Sequence, residues 1–220
     1  MDVSADQVRV ALFSVIAFVV SVSVHEFGHA FVADRLGDRI PRLQGRLTLS
    51  PLAHIDPVGT LAVPLFGVLS GLPLIAWGKP VQTNPANYTR RLPMTTGHML
   101  VAVAGPFMNL LLAVLVSIAM VALGKAGVLS LGLQEAMIRY FLLLNIVLMF
   151  FNLIPVGPLD GAAVLAGLIP GARRFHELNR KYGMLVLLVL FFSPGLRFVM
   201  GPVYAFAGAW VGLLGRLVAA

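Results

Sequence analysis

Long runs of apolar residues separated by short polar segments make up most of the chain. The first run covers residues 8–34 and stays apolar through Val24, after which polar residues begin at His25. Four further apolar runs follow it along the sequence: 97–123, 134–153, 183–193 and 197–218. Because a helix needs about 20 mostly apolar residues to cross a bilayer, the pattern predicts an all-α integral membrane protein. We expect a polytopic helical bundle of about five to six spans.

Two other segments depart from this helical pattern. Residues 58–77 are apolar but are interrupted by two prolines and two glycines, at Pro64, Gly67, Gly71 and Pro73. Irregular backbone at membrane depth is tolerated where it is buried in protein. This segment is therefore predicted to be re-entrant, entering and leaving on one side, with a full span as the alternative. Residues 40–50 alternate loosely between apolar and polar positions, which predicts a short β-hairpin at the membrane surface.

The composition agrees with a membrane protein. Hydrophobic residues make up 59% of the 220 residues and charged residues 11%, whereas soluble domains carry about 45–50% and about 25%. This excludes a disordered chain. It also excludes a soluble two-domain enzyme, because too little polar surface is available to solvate a compact globule. Residues 1–220 are interpreted as one transmembrane domain, with the lipid bilayer as a partner.

The charge distribution predicts the orientation in the membrane. The net charge is +7, and the basic residues lie between apolar runs, as is typical of cytoplasmic membrane loops. No basic stripe interleaved with aromatic residues indicates a nucleic-acid partner. If 58–77 is re-entrant, three basic loops share one face: 35–57, 78–96 and 170–182. We expect a multi-pass protein of the plasma membrane with these loops in the cytoplasm, five full spans, and the C-terminus inside.

The first apolar run ends in His25-Glu26-Phe27-Gly28-His29, which has the pattern H-E-x-x-H. On a helix, two imidazoles four residues apart project from one face and can bind one metal ion. Glu26 lies about 100° around the helix from His25, beside the open position of the metal, where it can take a proton from water. A polar cluster that faces the loop is the alternative. Ionisable residues inside a membrane nevertheless default to a functional interpretation.

A catalytic zinc site usually has three protein ligands and a water, so a third ligand is needed. Asp160 is the strongest candidate, because residues 152–161 read N-L-I-P-V-G-P-L-D-G, in which prolines and a glycine break an apolar helix. The alternative is that Asp160 only caps a helix predicted at 161–169. His54 and Asp56 are candidates for a second metal site, although a turn that fixes the neighbouring hairpin is favoured.

Together these motifs resemble the site-2 protease family of intramembrane zinc metalloproteases, in its compact bacterial form without a PDZ domain. The two metal motifs carry the resemblance, and G-P-F-M-N at residues 105–109 is similar to the family's G-P-x-x-N. The resemblance covers about residues 10–170. In itself, Asn109 is an amide in an apolar run that needs a partner, either at a helix interface or on a substrate backbone.

The resemblance implies one zinc ion per chain, with His25, His29 and Asp160 as ligands and Glu26 as catalytic base. It also implies Asn152 as a hydrogen-bond donor to the substrate or the oxyanion, whereas a cap for the broken helix end is the alternative. The implied activity is hydrolysis of a peptide bond within or near the transmembrane segment of a membrane-anchored protein substrate, in regulated intramembrane proteolysis.

A metal-ion or proton transporter that uses the same His and Asp residues as a transit site is the alternative function. The intramembrane charges would serve it equally well. A transporter has no use for a glutamate beside the metal, and the sequence shows no repeated half, so the protease is favoured. The sequence leaves the oligomeric state and the identity of the substrate open.

Overall fold

The computed structural model describes residues 5–63, 66, 77–169, 171 and 173–219, and within them no strand is formed. The long helices are α1 (Ala5–Arg35), α3 (Met94–Lys125), α7 (Arg173–Phe192) and α8 (Gly195–Ala219). The shorter ones are α2 (Ile40–Leu43), α4 (Leu131–Ala136), α5 (Leu143–Asn152) and α6 (Asp160–Leu168). A π-helical turn, Met137–Leu142, joins α4 to α5.

Four helices in the described part of the chain are long and apolar enough to cross a membrane: Leu12–Arg35, Met94–Lys125, Gly132–Asn152 and Gly195–Ala219. The described residues therefore form an all-helical bundle with several membrane-length helices, and the predicted count of five to six spans is not confirmed. Helix α7 contains the apolar run that begins at residue 183, up to its own last residue, Phe192. Its N-terminal half is polar, with Glu177, Arg180 and Lys181, so its hydropathy is below that of a spanning helix.

Helix α3 is the centre of the bundle, because it packs against α1, α5, α6 and α8. Buried apolar side chains fill the space where α3, α5 and α8 meet: Ala113, Met120, Leu142, Ile146, Met200, Val203, Ala207 and Leu214. Two glycines let α3 approach α1 closely. A β-carbon at Gly28 would lie 2.6 Å from Ala104 O, and one at Gly105 would collide with the imidazoles of His25 and His29. The close crossing places both histidines directly against α3.

Residues 40–50 do not form the predicted β-hairpin. Helix α2 has Pro41 in its first turn, and Gly45 follows it in the left-handed region, with φ at 67°. Asp38 Oδ1 accepts a hydrogen bond of 3.2 Å from the first N–H of this helix. A proline in the first turn and an aspartate just before it are helix-start signals, and here they outweigh a loose alternation.

Most of the segment 58–77, which is predicted to be re-entrant, lies outside the described residues. Its two ends are described and lie together. Trp77 N–H donates to Gly59 O at 3.1 Å, and Thr60 Oγ1 donates to Trp77 O at 2.7 Å. The segment therefore starts and finishes at the same place on the bundle.

After this segment the chain runs without regular secondary structure through residues 77–84, which we call the strap. Lys79 N–H donates to His54 O at 2.9 Å, and Asn84 N–H donates to Asp38 Oδ2 at 2.7 Å. These bonds tie the strap to the loops that follow α1, so that its middle lies against the polar end of that helix.

Candidate metal centre

The structure brings the three predicted metal ligands together. His25 and His29 lie one turn apart on α1, and their Nε2 atoms are 3.0 Å apart. Asp160, the first residue of α6, places Oδ2 3.2 Å from His25 Nε2 and 3.4 Å from His29 Nε2. We call these three residues the triad. Among the described residues they form the one group of three His, Asp or Glu side chains close enough to share an ion.

The alternative role of Asp160, as a cap, does not agree with the structure. Leu159 occupies the cap position of α6, and no side chain forms a capping hydrogen bond there. Asp160 instead lies inside the first turn of the helix and turns its carboxylate toward α1.

The spacing of the triad fits a tetrahedral zinc site. Ligand atoms at 2.0–2.1 Å from zinc in tetrahedral directions lie about 3.3 Å apart, and the separations here are 3.0, 3.2 and 3.4 Å. Asp160 Oδ2 is buried and has no hydrogen-bond donor among the described residues. Because an unpartnered buried carboxylate oxygen is costly, its position indicates a cation between the three atoms.

Each imidazole is held so that Nε2 faces the centre of the triad. His25 Nδ1 donates to Asn109 Oδ1 at 2.6 Å, and His29 Nδ1 donates to Val101 O at 2.7 Å. A carbonyl oxygen only accepts, so the proton of each neutral imidazole lies on Nδ1 and the lone pair on Nε2. Two lone pairs and a carboxylate oxygen therefore face one another, an arrangement that a bound cation stabilises.

A fully buried polar network contacts His25 at Nδ1, the ring nitrogen that faces away from the triad. Asn109 Nδ2 donates to Asn145 Oδ1 at 2.8 Å and to Ser21 O at 3.2 Å, and Asn145 Nδ2 donates to Ser21 Oγ at 2.9 Å. Asn109, Asn145 and Ser21 are all 0% exposed. The amide of Asn109 therefore lies at a helix interface, which is one of its two predicted roles, and it also orients the imidazole of His25. Its position in an apolar helix indicated a need for a partner, but nothing in the spacing pointed to His25.

Glu26 lies beside the triad in the wall of a cavity of about 630 Å³. Its Oε2 accepts a hydrogen bond of 2.8 Å from Val81 N–H of the strap. The triad and Asn152 line the same cavity. The candidate base, the candidate ligands and the candidate amide donor therefore share one space.

Asn152, the last residue of α5, has one of its donors engaged. Its Nδ2 donates to Leu148 O at 2.9 Å, one turn back in the same helix. A primary amide carries two N–H groups, so this bond leaves the second one for the cavity that Asn152 lines. Asn152 therefore keeps both of its predicted roles, as a hydrogen-bond donor to the substrate and as a cap for the end of the broken helix.

His54 and Asp56 do not join the triad or form another three-residue metal group in the part of the chain that is described. His54 is 1% exposed, and its Nε2 lies 2.9 Å from Thr48 O. Asp56 Oδ1 accepts from Val58 N–H at 2.9 Å and from Gly59 N–H at 2.8 Å. These bonds agree with the interpretation that both residues fix turns.

The motifs miss five polar residues of the cavity wall: Thr83 in the strap, His98 on α3, and His176, Asn179 and Arg180 on α7. Polar residues are ordinary at a helix start and in a basic segment, so no sequence signal marks them. Asn179 is hydrogen-bonded to the loop that precedes Asp160.

A pair of histidines and an aspartate beside a glutamate, among helices of membrane length, is the arrangement expected of a membrane metalloprotease. The model of peptidase family M50 matches residues 13–136 and 125–193 of this chain. The chain therefore belongs to peptidase family M50, the site-2 protease family, and it is a metalloprotease. Membership in this family favours the protease over the transporter.

Two relatives that bear the name "Putative zinc metalloprotease" are similar to most of the chain. YwhC of Bacillus subtilis (strain 168) is 36% identical over 196 residues, which are 86% of this chain and 84% of that protein. Rip2 of Mycobacterium tuberculosis (strain ATCC 25618 / H37Rv) is 37% identical over 191 residues, which are 85% of this chain and 70% of that protein. No solved structure matches the chain.

Proposed function

We propose that this metalloprotease holds one zinc ion at the triad of His25, His29 and Asp160 and hydrolyses a peptide bond of a membrane-anchored protein. The observation that carries the proposal is the convergence of three metal-binding atoms within 3.4 Å of one another, beside Glu26 and in one cavity. Zinc bound there would supply Lewis-acid activation of water and of the scissile carbonyl.

Glu26 is the proposed general base and acid. Val81 N–H holds its Oε2, so Oε1 is the oxygen left to take a proton from the attacking water. The same carboxyl group then returns the proton to the amine of the leaving peptide. Proton transfer by a positioned side chain contributes about 10²–10⁴-fold in rate.

Asn152 is the proposed donor to the developing oxyanion or to an extended substrate backbone. It lines the cavity with one amide N–H beyond the bond to Leu148 O. A donor aimed at charge that develops only in the transition state raises the rate without contributing to metal binding. Asn152 thus has a role in turnover that is separate from the role of the triad.

The membrane setting supports the substrate class. On α6 the cavity wall is formed by Ala162, Ala163 and Ala166, small apolar side chains that leave room for a peptide in an extended form. A peptide inside a transmembrane helix already has its carbonyls hydrogen-bonded, so it must unwind locally before attack. The proposed reaction is cleavage within or near a transmembrane segment, in regulated intramembrane proteolysis.

We also propose that 58–77 is re-entrant and that the basic loops face the cytoplasm. The hydrogen bonds that join Gly59 and Thr60 to Trp77 support this arrangement, because they keep both ends of the segment on one side. The loops 35–57 and 78–96 then share a face, as the positive-inside rule favours. The chain is a single multi-pass domain of the plasma membrane in this proposal.

Glu26→Gln tests the proposed activity. The amide cannot take a proton but keeps the size of the side chain. We expect this variant to retain its zinc while cleavage falls by about 10²-fold or more. Zinc content and cleavage of a membrane-anchored reporter are measured on the same preparation.

The matched control is Glu177→Gln, on the exposed face of α7, which should cleave like the unaltered protein. A Glu26→Gln protein that still cleaves would contradict the assignment of the base. Membrane proteins that accumulate intact beside the inactive variant identify the substrate.

A further inference from the structure

The loop that precedes Asp160 is held by a residue far from the metal motifs. This loop, residues 153–159, joins α5 to α6, and we call it the ligand loop. Asn179 Oδ1 accepts a hydrogen bond of 2.9 Å from Gly157 N–H, and Asn179 Nδ2 donates to Pro155 O at 3.3 Å. A single amide on α7 therefore holds two backbone groups of the ligand loop at once.

A second contact on the same face of α7 brings the backbones together. Gly183 lies one turn after Asn179, and residues four apart on a helix are neighbours. A β-carbon at Gly183 would lie 2.5 Å from Gly157 O and 2.9 Å from Asn179 Oδ1. Gly183 is buried whereas Tyr182 and Met184 are exposed. The face of α7 that carries Asn179 and Gly183 is thus the face that contacts the ligand loop.

The other hydrogen bonds of the ligand loop are local. In the described residues each joins groups within four residues of one another, for example Ile154 N–H to Phe151 O at 3.1 Å, Val156 N–H to Ile154 O at 2.7 Å and Leu159 N–H to Val156 O at 2.9 Å. Such bonds shape the loop but do not fix it relative to another helix. The amide of Asn179 supplies that connection, three residues before the carboxylate that faces the histidines.

We propose that Asn179 is a positioning residue for the metal centre. Together with the close approach at Gly183, it holds the ligand loop so that Asp160 Oδ2 meets the two imidazoles of α1. Asn179 acts through the loop and does not bind the metal itself. The inference rests on the proposed function, because it needs the triad to bind zinc.

The test measures how fast zinc passes from the purified protein to an excess of a colorimetric chelator. Partners that orient metal ligands typically contribute 10–100-fold in metal affinity, so Asn179→Ala should release zinc about 10–100-fold faster. Gly183→Ala should act in the same direction while it retains the Asn179 side chain, because its new methyl group would lie 2.5 Å from Gly157 O and displace α7 from the ligand loop. Leu178→Ala is the control, since Leu178 is the neighbour of Asn179 and is 49% exposed.

A second measurement separates positioning from a general structural role. Zinc binding stabilises the folded protein according to its affinity, so the melting temperatures of zinc-loaded and zinc-free forms are compared. We expect the zinc-dependent increase to shrink in Asn179→Ala and Gly183→Ala. An unchanged increase, with both forms of each variant melting lower by the same amount, would overturn the inference.

The outcomes distinguish the inference from the proposed function. If the unaltered protein and Leu178→Ala bind no zinc, the proposed metal centre fails and the inference fails with it. If they bind zinc and Asn179→Ala and Gly183→Ala release it at the same rate as they do, the metal centre stands and the positioning role of Asn179 is wrong.

Discussion

The two halves of the proposed metal centre are built differently. The histidine half lies on the continuous helix α1, packed against α3 and braced by the buried amides of Asn109 and Asn145. The aspartate half is Asp160 at the end of the ligand loop, which α7 holds through one partly exposed amide. Regular structure and a satisfied polar network fix the two histidines independently of the ligand loop. The second half also packs on α3 through α6, but the ligand loop before it depends on α7, so a shift of α7 would disturb one proposed ligand and spare two.

Removing a ligand from either half should have the largest effect. His25→Ala and Asp160→Ala each leave two protein ligands where a catalytic zinc site has three, so both variants should lose most of their zinc and all measurable cleavage. Metal analysis of the purified proteins checks this. Asp56→Ala, which removes a carboxylate that caps a turn, should keep its zinc. Full zinc retention in Asp160→Ala would show that the ligand loop does not contribute to the centre.

Asn152→Ala tests whether turnover can be lost while metal binding is kept. Asn152 ends α5 immediately before the ligand loop, yet its proposed role is to donate to the oxyanion or the substrate backbone. Removing one such donor typically costs about 10²–10³ in rate. We therefore expect cleavage to fall by that factor while zinc content and melting temperature stay unchanged. Zinc release that rises in parallel with the loss of cleavage would show that Asn152 instead shapes the loop.

The sequence predicted the histidine half almost completely, because two imidazoles four residues apart and the glutamate between them are a local helical pattern. Asp160 was also predictable, since the prolines and glycine before it break an apolar helix. The surface hairpin was wrong because Asp38 and Pro41 favour a helical turn more strongly than loose alternation favours strands. The bond of Asn179 to Gly157 depends on tertiary packing, which no local pattern reports.

The partner of Asn109 belongs to the same class of unpredictable contacts. An asparagine in an apolar run indicates that a partner exists, but the run does not contain it. His25 and Ser21 lie on α1, and Asn145 lies on α5. Helices α1, α3 and α5 must pack together before the network forms. The sequence therefore predicts that Asn109 needs a partner but does not identify it.

Asn109→Ala has a smaller expected effect than the loss of a ligand or of Asn152, and it sharpens the comparison between the halves. It removes the acceptor for His25 Nδ1 and leaves that N–H buried without a partner, at a cost of roughly 1–3 kcal/mol in unfolding free energy. Because the network is fully buried, the zinc-free and zinc-loaded forms should both melt lower. Zinc affinity should fall by about 10–100-fold through the loss of ligand orientation.

Asn179→Ala should lower mainly the melting temperature of the zinc-loaded form, since the ligand loop is partly exposed. Ser23→Ala is the control, because Ser23 is buried two residues from His25 but bonds only Val19 O in its own helix. If Asn109→Ala lowers only the zinc-loaded form, as expected for Asn179→Ala, then the two halves are held in the same way and the distinction drawn between them is wrong.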